Sequence, residues 1–333
     1  MVFLQLVLML VVIVVAAEIF TNALEHLGER LKISEGVTGS LFAAVGTALP
    51  ETSVPLLALL AGTSNPQTNA EIGVGAILGA PLMLGTLSIS LMAFAVWAKR
   101  GPKGSFHAEK TGLTRDLNFF LMAFGFAAVA LYIPHTQTAV RAGIAFCMVL
   151  TYFIYILLTI RASRALVDEG HATAAEGSMM LCRLGLPCSI PVIIAQLAVG
   201  LVLLIAGAKG FIHGVEEASR VMGVSALLLS LLIIPIATEL PEKVNSFLWV
   251  RRGKDTLAFG NITGAMVFQG TLLPAIGIML TPWEPRVEVL AGIVITLLAA
   301  VWLRWRIARG GLKVWHLWIN GLLYLVYLVI ALA

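Results

Sequence analysis

The sequence predicts an all-α membrane protein: ten transmembrane helices arranged as two inverted-topology five-helix repeats, with helices 2 and 7 broken. Three observations predict it. Of 333 residues, 59% are apolar and 12% charged, whereas a soluble domain carries about 25% charged residues. Ten stretches reach the roughly 20 apolar residues that a spanning helix needs. Two short strings, Gly46-Thr47-Ala48-Leu49-Pro50-Glu51 and Ala237-Thr238-Glu239-Leu240-Pro241-Glu242, read as copies, and each sets a carboxylate inside an apolar run.

The ten segments, in order, are 3–28, 34–62, 72–98, 117–134, 140–160, 186–212, 223–250, 256–280, 287–305 and 313–333. The first begins without a basic n-region, so it reads as a membrane segment and not as a cleaved signal. The first repeat occupies 1–160, a connecting loop 161–185, and the second repeat 186–333. The polar connections 99–116 and 161–185 are too short for much beyond loops or an interfacial helix, and no separate soluble domain is visible.

Basic residues crowd one set of loops. Arg30 and Lys32 follow segment 1; Lys99, Arg100, Lys103, Lys110 and Arg115 follow segment 3; Arg161, Arg164 and Arg183 follow segment 5. Arg251, Arg252 and Lys254 follow segment 7, and Arg304, Arg306, Arg309 and Lys313 follow segment 9. Loops after even-numbered segments hold only Arg141, Arg220 and Arg286. Positive-inside bias then places the first set in the cytoplasm of an inner (cell) membrane and both termini outside. The net charge of +4 is therefore a topology signal and not a nucleic-acid surface. Cys147, Cys182 and Cys188 lack the spacing and neighbours of a zinc site and read as ordinary thiols.

The repeat decides the architecture. An offset of 191 residues carries Glu51 to Glu242, Ala17 to Ala208, Phe20 to Phe211, Glu25 to Glu216 and Ile33-Ser34 to Val224-Ser225. Further on, Gly75 and Gly79 meet Gly260 and Gly264 at an offset of 185, which puts a six-residue excess in the polar loop 62–71. Five segments per copy is an odd number, so the copies run in opposite senses. The loops agree: the one after segment 2 has no Lys or Arg, and its counterpart reads Arg251-Arg252-Gly253-Lys254.

A carboxylate within a membrane segment faces a protein interior or aqueous cavity and marks an ion path. Proline lacks an N–H, so within a helix Pro50 frees the carbonyl of Gly46, and Pro241 that of Ala237. Each string thus offers a threonine hydroxyl, a freed carbonyl and a carboxylate: hard oxygen ligands suited to a small cation.

These strings resemble the alpha-repeats of the sodium/calcium exchanger, or calcium:cation antiporter, superfamily. Its consensus reads Gly-Thr-Ser-Leu-Pro-Glu, followed by Gly-Asn-x-x-Gly-Ser-Asn-x-x-Asn/Asp on the next helix. The resemblance covers most of the chain and implies ten helices arranged five plus five and antiport of Ca2+ against Na+ or H+. It places Thr47, Glu51, Thr238 and Glu242 at ion-binding positions, with Glu51 and Glu242 as the central metal ligands. The second half of each motif departs from the consensus. Ala80 and Leu84 replace a serine and an asparagine, Ala265 replaces a serine, and Gln269 keeps an amide oxygen at the Asn/Asp position. Glu239 replaces the consensus serine and Lys243 follows Glu242. Glu239 and Gln269 join the candidate ligands, with Gly46, Ala237, Lys243 and Asn261 in a second tier. Glu239 and Lys243 are spaced to pair on one helix face. The alternative is that Lys243 neutralises Glu239 and snorkels away from the site.

The mechanism expected is competition. Two close carboxylates in a low dielectric need compensation, which a divalent cation, two monovalent ions or two protons supply equally. Ca2+ takes 6–8 oxygen ligands, so three lost donors weaken flanking Na+ sites first and favour protons as the counter-ion. No covalent cofactor is expected, and the partners are small cations and the lipid bilayer, with no nucleic acid. The sequence holds no phosphate-binding loop, triad or zincin motif, so the expectation is a transporter and not an enzyme. Rival readings are a proton-coupled exchanger of another cation and a transport-dead ion sensor or scaffold. Glu18 and Lys209, at equivalent repeat positions, read as structural; His26 and His213 as solvated; and Gly73, Gly75, Gly79, Gly260 and Gly264 as sites of close helix approach.

Overall fold

The computed structural model describes residues 2–30, 49–167, 178–253 and 255–332. Gly46, Thr47, Lys32 and Lys254 lie outside the described residues. The described chain is helical, and eight of its helices are long and apolar enough to cross a membrane, while Glu51–Ala61 and Ala226–Ile236 are shorter apolar helices. The chain divides into two compact units, one of residues 1–65 and 156–223 and the other of residues 66–155 and 224–333.

The first unit is built on α1 (Val2–Arg30) and α8 (Ile190–Met222), with α2 (Leu49–Ala61) packed against both. Small residues of α8 let the two long helices approach closely, as membrane helix pairs require. A Cβ at Gly200 would lie 2.9 Å from the backbone N of Phe20, and one at Gly207 2.9 Å from the Ile13 side chain. Helix α8 runs ten residues past the predicted end, because Glu216 and Arg220 pair at 3.1 Å along it and Gly223 (φ 66°) stops it in the left-handed conformation. A one-turn helix, α7 (Met180–Arg183), docks where α1 meets α8. Met180 N donates to Asn22 Oδ1 (3.0 Å), Leu181 N to Gln196 Oε1 (3.0 Å), and Gln196 Nε2 to Asn22 Oδ1 (2.9 Å). Here the thiol expectation is corrected: Cys182 and Cys188 form a disulfide, their Cα atoms 5.6 Å apart, which closes the turn between α7 and α8.

The second unit holds α3 (Pro66–Met83), a π-helical turn (Leu84–Ser88), α4 (Ile89–Arg100), α5 (Lys110–Ala130) and the first part of α6 (Thr138–Val167). It continues with α9 (Ala226–Thr238), α10 (Leu240–Arg251), α11 (Asp255–Leu280), α12 (Val287–Ala308) and α13 (Val314–Leu332). Its core gathers Leu82, Met83, Ile295, Tyr324 and Tyr327. A Cβ at Gly75 would meet the Leu227 carbonyl oxygen at 2.6 Å, and one at Gly79 the Pro235 ring at 2.6 Å. These two glycines do what the sequence predicts of them. Gly260 has no such neighbour among the described residues. The π-turn widens the helix just after Pro81, and Asn320 of α13 satisfies the Gly85 carbonyl within it (2.7 Å). Arg141, buried at the start of α6, closes the C-terminus of α11 by donating to the carbonyls of Ile278 (2.9 Å), Thr281 (2.6 Å) and Pro282 (2.8 Å).

A polar clasp fixes the segment between α4 and α5 to the start of α11. Arg100 binds Asp255 through two bonds of 2.6 and 2.8 Å, and His107 N donates to the same carboxylate at 2.8 Å. Burial opposes ionisation of Asp255, but the Arg100 and His107 hydrogen bonds and charges outweigh it and hold the carboxyl below its ordinary range. A depressed folded-state value means the stabilisation is complete above the unfolded value near ~3.9 and is lost as pH falls through the folded one. Asp255→Asn is expected to cost ~2 kcal/mol at pH 7. The gap to the parent protein should close on acidification below about pH 4, as read by thermal melting in detergent.

Candidate cation-binding site

Helix α9 is capped by Ser225, whose hydroxyl accepts from Leu228 N (3.2 Å), and ends at Thr238. Glu239 (φ −89°, ψ 6°) interrupts it, and α10 begins at Leu240. The predicted break in segment 7 is therefore present. Its cause differs in one respect from the carbonyl argument made on sequence. The helix restarts just before Pro241, so this proline falls in the first turn of α10, where an absent N–H leaves no carbonyl unpaired.

Glu239 is fully buried (0% exposed) and Lys243 is 8% exposed. Lys243 Nζ lies 3.3 Å from Glu239 Oε2 and donates to the carbonyl of Pro235 at 3.1 Å. The lysine thus reaches back across the break to the negative end of α9. It does not snorkel away. Thr238 is buried beside this pair, its hydroxyl donating to Ile234 O (3.1 Å). Glu242 occupies the third position of α10. One turn further along the same helix, buried Ser246 accepts a hydrogen bond from Asn261 Nδ2 (3.2 Å), which ties α10 to α11. Gln269, farther along α11, is 2% exposed, and its amide oxygen accepts no hydrogen bond among the described residues. An unsatisfied buried acceptor is costly and is of the type a cation or water would complete.

Glu51 belongs to the other unit, in the first turn of α2, and is 3% exposed. Ala80 and Leu84, at the lost ligand positions, are buried and apolar.

Sequence reasoning missed two buried acids, Asp255 of the clasp and Asp116. Hydropathy leaves Asp116 in the loop before segment 4, but α5 begins at Lys110, capped by Glu109, whose carboxylate accepts from Thr111 N (2.6 Å) and Gly112 N (2.7 Å). Asp116 is 4% exposed, accepts from Thr263 Oγ1 of α11 (2.7 Å), and lies 3.6 Å from Arg115. The signal was available: Leu113, Leu117, Phe120, Phe124 and Ala127 form a buried stripe at helical spacing that Asp116 adjoins. Of the remaining polar residues, Glu18 and Lys209 are exposed and make no ion pair among the described residues, and His213 is exposed beside Glu216 (3.9 Å).

Similarity to known proteins extends over nearly the whole chain. It is 24% identical over 275 residues to the inner membrane protein YrbG of Escherichia coli, covering 83% of this chain and 78% of that one. It is 25% identical over 280 residues to a putative antiporter, CaxA, of Alkalimonas amylolytica, covering 82% and 79%. Among solved structures, the H+/Ca2+ exchanger CAX superposes with a TM-score of 0.73 at 19% identity over 98% of this chain and 82% of that one. The sodium-calcium exchanger NCX_Mj superposes at 0.56 and 18% identity over 99% of both. These last two show a shared fold. The model of the sodium/calcium exchanger protein family matches residues 1–161 and 192–333. The chain is a multi-pass membrane protein and belongs to the sodium/calcium exchanger protein family.

Proposed function

We propose that this protein is a secondary active cation antiporter that exchanges Ca2+ against H+ or Na+ by alternating access. Ten helices form two inverted five-helix repeats, 1–160 and 186–333, joined through 161–185, with both termini outside the cytoplasm. Glu51 and Glu242, the matched acids of the two repeats, are the central metal ligands. Thr47, Thr238 and Gln269 add oxygens, with the backbone at Gly46 and Ala237 beside them. Asn261 positions α10 against α11. Glu239 is held by Lys243, so the pair enters the site with no net charge and leaves the divalent balance to Glu51 and Glu242.

The observation that carries this reading is the pairing of family membership with two acids at a fixed offset in an apolar chain. Protons are the preferred counter-ion. Ala80, Leu84 and Ala265 supply no side-chain oxygen, so the donors left suit one divalent ion or two protons better than a set of separate Na+ sites. A proton-coupled exchanger of another cation is the second reading, favoured by the same apolar positions. Uptake of Ca2+, Mn2+, Sr2+ and Mg2+ into proteoliposomes, each under an imposed pH or Na+ gradient, separates them. Ca2+ uptake driven by the pH gradient is expected. Uptake that needs Na+ and ignores pH overturns the proton assignment. Absent flux from folded protein leaves an ion sensor or scaffold.

A further inference from the structure

A second charged feature of the molecule uses none of the residues assigned to cation exchange. The segment after α4 and the turn between α12 and α13 are joined as a short antiparallel pair: Phe106 N donates to Leu312 O (2.9 Å) and Val314 N to Gly104 O (3.2 Å). Gly310 (φ 116°) and Gly311 (φ 118°) allow the tight return of the chain. Beside this pair opens a cavity of about 750 Å³, within the size range of small-molecule sites.

Its lining includes Lys110, Arg306, Arg309, Lys313 and His107, and no carboxylate. None of the four lysines and arginines makes an ion pair among the described residues. Acids on the neighbouring elements are committed elsewhere, Glu109 to the start of α5 and Asp255 to Arg100. Aromatic faces hold the arginines instead. The Arg306 guanidinium lies 5.9, 5.2 and 5.8 Å from the ring centroids of Trp302, Trp305 and Trp315, and that of Arg309 lies 4.6 Å from Trp305. The Arg306 Nε is buried without a hydrogen-bond partner among the described residues. Cation–π contact positions a guanidinium without neutralising it. Four positive charges in one concave site therefore raise the local concentration of anions.

Depth narrows the ligand. Trp305, Trp315 and Trp318 are exposed at the shared end of two membrane-length helices, the position that tryptophan takes at the level of lipid headgroups. Basic pockets between membrane helices bind the phosphates of anionic headgroups. We infer that this basin binds a phosphate-ester anion through Lys110, Arg306, Arg309 and Lys313, the headgroup of an anionic phospholipid being the source that its depth favours.

The test uses the full chain in detergent micelles, with tryptophan fluorescence of the Trp302–Trp315 cluster as readout. One arm titrates phosphatidylglycerol against phosphatidylcholine; the other titrates inorganic pyrophosphate without added lipid. The double variants Arg306→Gln/Arg309→Gln and Lys110→Gln/Lys313→Gln accompany the parent protein, the latter leaving the tryptophan contacts untouched. Phosphatidylglycerol is expected to bind tighter than phosphatidylcholine, and each double variant to weaken it by roughly 30-fold. A response to pyrophosphate alone that both variants abolish assigns the site to a soluble phosphate and keeps the basin. If Lys110→Gln/Lys313→Gln melts like the parent and binds both probes unchanged, the inference is overturned.

Discussion

Glu51→Gln and Glu242→Gln are each expected to abolish cation-dependent flux while leaving the fold intact. The amide is nearly isosteric with the carboxylate, so packing around the 3%-exposed Glu51 is preserved. On the proposed mechanism, what disappears is one of the two negative charges that balance a divalent ion. Removing one partner of a buried charge interaction costs on the order of 2–5 kcal/mol, which corresponds to roughly a 30- to 4,000-fold loss of affinity for the cation. Proteoliposome uptake reads the loss, and melting in detergent reads the fold. Parent-level Ca2+ flux in either variant would remove the acid it replaces from the ligand set.

Lys243→Met is expected to produce the largest loss of stability. Glu239 has no exposed surface, and it pairs with the ammonium 3.3 Å away. Breaking a buried pair by deleting one member costs about 3–5 kcal/mol, because the remaining charge stays uncompensated. The same change removes the donor to the Pro235 carbonyl at the C-terminus of α9. Glu239→Gln/Lys243→Met should recover most of the melting temperature, since a neutral amide at position 239 no longer needs a counter-charge. The double variant also separates two roles for the pair. Parent-level uptake identifies a strut across the helix break; normal melting with altered ion preference places the pair beside the transported ion.

The helical class and the presence of several membrane-length apolar helices were legible because both follow from apolar length, and the interruption in segment 7 falls within the string that the repeat singled out. The i, i+4 spacing of Glu239 and Lys243 likewise foretold their pairing. Asp116 escaped because hydropathy windows start a helix where charges stop, whereas α5 begins among charges, at Lys110 behind the Glu109 carboxylate cap. The disulfide escaped because Cys182 and Cys188 are brought together by the docking of α7 through Asn22 and Gln196, contacts between residues distant in sequence. The π-turn is of the same kind: its Gly85 carbonyl is satisfied by Asn320, which lies on the last helix of the chain.

Helices α3 and α9 meet along Gly75 and Gly79 with main chain against main chain, and interfaces this tight have no side-chain layer to shear. A displacement of one helix carries the other with it, as a single beam. Bending in this part of the molecule is then concentrated at the interruption after Thr238, and a bulky residue at Gly75 would pry the beam apart without touching any ion ligand.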